Sequence, residues 1–262
     1  MLPNRTLLLL ACAGVLLTGC TAAGGHTAVE DRSRTASTAP GGQDQGPAGS
    51  SGRAGRSAPE PQAVRPAEIP GLGPRTRAAV PAEALQAVVV TGKEPDSNRA
   101  TAVLYEREPG EGWRPVAGPW HGHNALKGWT DDHRQGDLRS PVGVFGLTDA
   151  GGRLPDPGTK LPYDRGPAFS ISGRGFEGEP LAGSFDHVVA VNYNRKPGTT
   201  PLDWTRPLGA GKGGGIWIHV DHGGPTQGCV SLPRGRMKEL LRWLDPAERP
   251  VVVMGDAAAL AR

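Results

Sequence analysis

The sequence predicts a mainly β domain over residues 82–262, folded as a sandwich or barrel-like sheet with one clear helix and preceded by a segment without a core. Three observations carry this reading. Short runs rich in apolar and β-branched residues recur along the chain; glycine and proline punctuate them; and only one stretch has helical spacing. Taken in order, strands are expected at 88–90, 101–105, 142–147, 169–171, 187–193, 215–220 and 250–254. Met237, Leu240, Leu241 and Leu244 stand at i, i+3, i+4 and i+7, so they share one face of a helix, which Asp245-Pro246 ends. These four are core residues without a chemical role. The stretch is long enough for one domain with a substantial core.

Two segments precede the domain. Arg5 supplies a positive charge, and residues 7–17 form an apolar run of signal-peptide length, too short for a membrane span. The run ends at Leu17-Thr18-Gly19-Cys20, which resembles the lipobox of bacterial lipoproteins, where a diacylglycerol is attached to the cysteine and the signal is cut just before it. That resemblance implies a signal peptide over 1–19, a lipidated Cys20 and attachment to the extracytoplasmic face of the cell membrane. Residues 20–81 are rich in Ala, Gly, Ser, Pro and Thr and have no hydrophobic period. Such a segment buries too little apolar surface to offset its ordering entropy, so it reads as a disordered tether. About 60 flexible residues span on the order of 40–50 Å.

Charge excludes one class of partner. The net charge is +3 over 262 residues, with no basic stripe or arm for nucleic acid. The glycine-rich run 211–215 precedes a strand, whereas a phosphate loop follows a strand and opens a helix, so no nucleotide cofactor is expected.

The chemistry concentrates between residues 215 and 232. Of three cysteines, Cys12 lies in the apolar run and Cys20 ends it, leaving Cys229 as the domain's only thiol. A lone thiol in an exported chain is a nucleophile, an intermolecular bridge or an inert buried group. Its neighbours favour the nucleophile. In the strand 215–220, Ile216, Ile218 and Val220 should point one way, Trp217 and His219 the other. The loop Asp221-His222-Gly223-Gly224-Pro225 then returns the chain to Thr226-Gln227-Gly228-Cys229, bringing the thiol beside His219. A histidine there takes the thiol proton, and its imidazolium stabilises the thiolate. Gly228 suits a sharp turn that presents backbone amides to a substrate carbonyl. His222 is the second candidate for the base, although a mobile loop is a poor place for accurate positioning.

These residues resemble the YkuD-type L,D-transpeptidases, whose signature is a strand histidine, a loop, then Ser/Thr-x-Gly-Cys and an aliphatic residue. Thr226, Gly228, Cys229 and Val230 match it, with His219 at the position of the family's base. Upstream, Gly136-Asp137-Leu138-Arg139-Ser140-Pro141-Val142-Gly143-Val144-Phe145 resembles the family's Gly-x-x-x-Thr/Ser-Pro-x-Gly-x-Phe segment. The resemblance implies a β-sandwich-like catalytic fold and acyl transfer between peptidoglycan stem peptides, with Cys229 as nucleophile and His219 as base. It also implies oxyanion support from Gly228, an imidazole oriented by the Val220 carbonyl, a cysteine loop braced by Thr226, and covalent inhibition by carbapenem-type β-lactams. Attack on the thioester by a second stem makes a transpeptidase; attack by water makes an L,D-carboxypeptidase. Gln227 stands where the family often has histidine, and Ser231 where it commonly has a substrate-side arginine. The loop between His219 and Cys229 is only nine residues long.

Two rival readings stay open at this level. His121-x-His123 with His219, His222 and Asp221 could suggest a zinc peptidase, although solvated loop or groove positions are expected for His121 and His123. The domain could also be a wall-binding lipoprotein without catalysis. Trp113, Trp120 and Trp129 are expected to pack in the core.

Overall fold

The structure, a computed structural model, describes residues 68–108 and 110–262. The signal peptide, Cys20 and most of the expected tether lie outside the described residues.

The strands run in chain order as β1 (Gln86–Gly92), β2 (Arg99–Glu108), β3 (Gly112–His123), β4 (Trp129–Thr130), β5 (Ser140–Pro141) and β6 (Gly143–Gly146). They continue as β7 (Asp149–Gly152), β8 (Tyr163–Arg165), β9 (Val188–Ala190), β10 (Trp217–Val220), β11 (Val230–Leu232) and β12 (Val251–Asp256). Among the described residues three α-helices accompany them, α1 (Pro74–Ala79), α2 (Arg234–Trp243) and α3 (Ala257–Leu260). Ten strands form one mixed sheet in the order β6-β12-β1-β2-β3-β11-β10-β9-β7-β8, and β4 pairs with β5 apart from it. The mainly β expectation holds, with α2 as the longest helix.

The centre of the sheet is buried on both faces. Val88 and Val90 of β1 join Val252 and Met254 of β12 in one core, which α2 covers with Met237, Leu240 and Leu241. Ala87 and Val89 face the other way, with Val251, Val253, Tyr105 and Trp113. Burial on both sides explains why 88–90 reads as an unbroken valine run rather than an alternating one. The three expected core tryptophans, Trp113, Trp120 and Trp129, are buried.

The second core corrects the domain boundary. Ile69 and Leu72 are 3% and 6% exposed and belong to that core. Behind them α1 is tied to the C-terminus, where Gly73 N donates to Leu260 O and Arg75 N to Arg262 O. The folded unit therefore starts before residue 82. Two apolar residues among polar ones show no period, yet they suffice to dock the segment.

β10 and β11 run side by side and parallel, Ile218 opposite Val230 and His219 opposite Ser231. β3 flanks β11 and β9 flanks β10. Parallel neighbours need a crossover, and here the nine-residue return between His219 and Cys229 supplies it. Ile216, Ile218 and Val220 enter the core while Trp217 and His219 line a cavity on the other face, as alternation requires.

Candidate active site

The return loop is fixed at both ends. Asp221 N donates to Leu232 O, and Thr226 pairs with the segment after β3 through Thr226 N to Asn124 O and Leu126 N to Thr226 O. Thr226 Oγ1 donates to the carbonyl of Cys229 at 2.6 Å, and Ser140 Oγ reaches the same carbonyl at 3.2 Å. Ser140 itself accepts from Ala125 N. Thr226 thus braces the cysteine loop. Gly228 packs rather than twists: a Cβ on it would lie 3.1 Å from Ile216 Cδ1, and its φ is not positive.

This bracing seats Cys229 against the start of β10. Its Sγ accepts from Trp217 N at 3.4 Å and donates to Gly215 O at 3.6 Å. Burial pushes the thiol up to about 11, with the Trp217 amide opposing. His219 is 3% exposed, and its Nδ1 lies 2.9 Å from the Val220 carbonyl. A carbonyl only accepts, so Nδ1 carries the proton and Nε2 keeps the lone pair of a base. Phe185 meets the ring edge-on at 5.4 Å. Burial pushes the imidazole down to about 4; the Val220 carbonyl opposes that shift and His222 adds to it. At neutral pH the pair therefore rests as a thiol and a neutral imidazole. Burial thus works against the expected thiolate–imidazolium pair, because both ions lose hydration. Among the described residues, Sγ bonds backbone groups, so Cys229 and His219 share a cavity without sharing a hydrogen bond.

His222 is not in a mobile setting. Its ring stacks on that of His219 with centroids 5.7 Å apart and planes 11° apart. Its Nδ1 lies 3.2 Å from Glu179 Oε1, an ion-pair contact that is off the hydrogen-bond line, and both side chains are largely buried. Glu179 fits there because Gly175 and Gly224 leave room; a Cβ on either would lie within 2.2 Å of Oε1. Burial raises the carboxyl of Glu179, but its own amide, the amide of Glu177 and the His222 ring outweigh that and hold it below its usual value.

Cys229, His219, His222, Thr226 and Gly228 all line one cavity of about 460 Å³, whose outer wall includes Phe176, Trp204 and Arg206. Ser231 does not. It is fully buried in β11, where its hydroxyl donates to Asp221 Oδ1 at 2.6 Å, so a substrate-side role there is corrected to a structural one. The same carboxylate lies 2.8 Å from His123 Nδ1. His123 is therefore a buried strand residue, and His121 sits on β3 beside Thr101 rather than in a loop. With the histidines so divided, no three His, Cys, Asp or Glu side chains converge on a metal site among the described residues. Ser140 stood in the upstream motif without an assigned role; sequence reasoning missed Glu179 and Arg206, which come from distant segments with no local signal.

Among curated proteins none matches the chain. A family model does match residues 83–253, that of the YkuD L,D-transpeptidase catalytic domain, spanning the sheet from just before β1 into β12 and every residue of the cavity described above. With the fold, the Cys–His cavity and this match in agreement, the chain belongs to the L,D-transpeptidase catalytic domain family.

Proposed function

We propose that the protein transfers acyl groups between peptidoglycan stem peptides through a thioester on Cys229. The observation that carries this reading is the pairing of Cys229 and His219 on one cavity wall, with Nδ1 of the imidazole committed to the Val220 carbonyl. His219 Nε2 takes the thiol proton as Sγ attacks the carbonyl carbon of the third residue of a tetrapeptide stem. The amides of Gly228 and Cys229 stabilise the oxyanion. Collapse breaks the bond to D-alanine, whose amine leaves with the proton from His219. The amine of a second stem then attacks the thioester, its proton passes through His219 Nε2 to the departing Sγ, and third residue is joined to third residue with the thiol restored. Water in place of that amine gives the carboxypeptidase outcome. Because the resting pair is neutral, proton transfer accompanies attack, so this is general-base catalysis rather than use of a preformed thiolate. A lipid on Cys20 would hold the domain outside the cytoplasmic membrane, within reach of the wall.

The test uses the full chain with Cys12→Ser and Cys20→Ser, leaving only Cys229. Incubation with a carbapenem should add one drug mass per chain, and Cys229→Ala should abolish the adduct. With isolated sacculi, new dimers joined between third residues mean transfer, and tripeptides alone mean hydrolysis. Drug binding without covalent addition would assign the domain to a non-catalytic wall-binding role.

A further inference from the structure

Arg206 is a guanidinium in the wall of the catalytic cavity that has no acidic partner among the described residues. Its Nη1 donates to the backbone carbonyls of Asp203 and Thr205, which leaves Nε and Nη2 without a hydrogen bond among the described residues. The nearby Asp203 carboxylate is engaged instead with Thr205 N at 2.6 Å. The guanidinium stacks over Trp204, 4.7 Å from the ring centroid, and Trp204 is 77% exposed at the cavity mouth.

The glycine-rich run before β10 is shaped around this side chain. A Cβ on Gly214 would lie 2.2 Å from Arg206 Nε, and one on Gly215 would lie 3.4 Å from Nη2. Gly214 and Gly215 also have φ of 145° and 68°, where other residues are strained. Gly215 is the residue whose carbonyl accepts from Cys229 Sγ. The glycines thus bed the guanidinium one residue from the nucleophile, on the cavity side. Burial lowers the arginine from its ordinary value, with Asp203 opposing; a partly dehydrated cation gains more from an anion than a solvated one. Arg174 also lines the cavity, but it is exposed and bonds the Gly178 carbonyl of its own loop, away from this bed.

We propose that Arg206 is the carboxylate anchor of the acyl-donor site. It holds a carboxylate of the donor stem near the bond that breaks and so sets the register of the attacked carbonyl over Cys229. The inference rests on the acyl-transfer reading above. A donor stem offers that carboxylate from two places, the terminus of the leaving residue or the side chain of the third residue when it is a diaminodicarboxylic acid.

The experiment measures kcat/KM for D-alanine release by the full-length chain with three synthetic tetrapeptide stems: unmodified, amidated at the C-terminus, and amidated on the third side chain. Arg206→Gln should lose roughly ten- to a hundredfold on the unmodified stem, the weight of a charged hydrogen-bonded pair, and Arg206→Lys should lose less. On one of the two amidated stems wild type and Arg206→Gln should become equal, which names the carboxylate. Equal alkylation of Cys229 by iodoacetamide in wild type and variant should accompany this. A loss of the same size on all three stems, no loss on any, or an altered alkylation rate overturns the anchor. Failure of wild type to act on any stem overturns the acyl-transfer reading and the anchor with it.

Discussion

At the scale of single residues, the working parts are a base that must stay neutral and a thiol that must lose its proton on demand. His219 meets its requirement through burial, and His222 stacked on it reinforces the effect. His219→Ala should slow Cys229 acylation a hundredfold or more, as loss of a general base does. His222→Ala should cost about tenfold, as the stacked support goes. It should also move the acid limb of the kcat/KM profile to higher pH, because a group that pushes the His219 imidazole down has been removed. Single-turnover acylation across pH reads both effects, and the reverse ranking would make His222 the base. Cys229 and His219 were legible in the sequence because one strand and one short loop carry both. Glu179 was not, since it reaches the site from a segment that looks like ordinary loop, and Ser140 stood in the upstream motif without its contact to the cysteine carbonyl being readable. His222 was legible as a residue but misjudged as mobile, because its stacking and its acidic neighbour are tertiary facts.

At the scale of elements, the docked segment ahead of β1 is the clearest departure from expectation. Ile69 and Leu72 should each contribute roughly 1.5–3 kcal/mol through burial, besides the backbone bonds that tie α1 to the C-terminus. A chain shortened to begin at Ala82 should therefore unfold at a markedly lower temperature than one that begins at Pro59. Thermal melts of the two settle it, and equal midpoints would restore the boundary at 82. Among the strands, β1, β2, β6, β9, β10 and β12 were readable from apolar runs. β3 was not, because Pro115, Gly118, Pro119 and Gly122 interrupt it, and it carries the extra residues where its register against β2 shifts between Ala102 and Tyr105. The expected strand at 169–171 is absent: Phe169 is buried because it packs on Trp217, with ring centroids 5.9 Å apart, and packing rather than pairing explains its apolar character. β7 and β8 are short, glycine-containing or polar, and carry no period to read.

At the scale of the whole molecule, buried histidines tie stability to acidity. Burial lowers His133, His187 and His219 from 6.5, the last to about 4. A depressed folded value means that the unfolded chain binds more protons in the window between the two, so this stabilisation is present above 6.5 and is lost as pH falls toward the folded values. The melting temperature should already decline between pH 7 and pH 5, before most carboxylates protonate, and His219→Gln should flatten the decline. A profile level down to pH 4.5 would contradict it. The raised thiol has a consequence of another kind. Cys229 is the free cysteine among the described residues, and with its proton held up to about 11 it is scarcely ionised at neutral pH. The ionised form is what attacks peroxides and disulfides, so a sulfur kept protonated between turnovers is slow to become a sulfenic acid or a mixed disulfide. The burial that makes this nucleophile wait for its substrate also makes it durable wherever no cytosolic reductant is at hand to repair it.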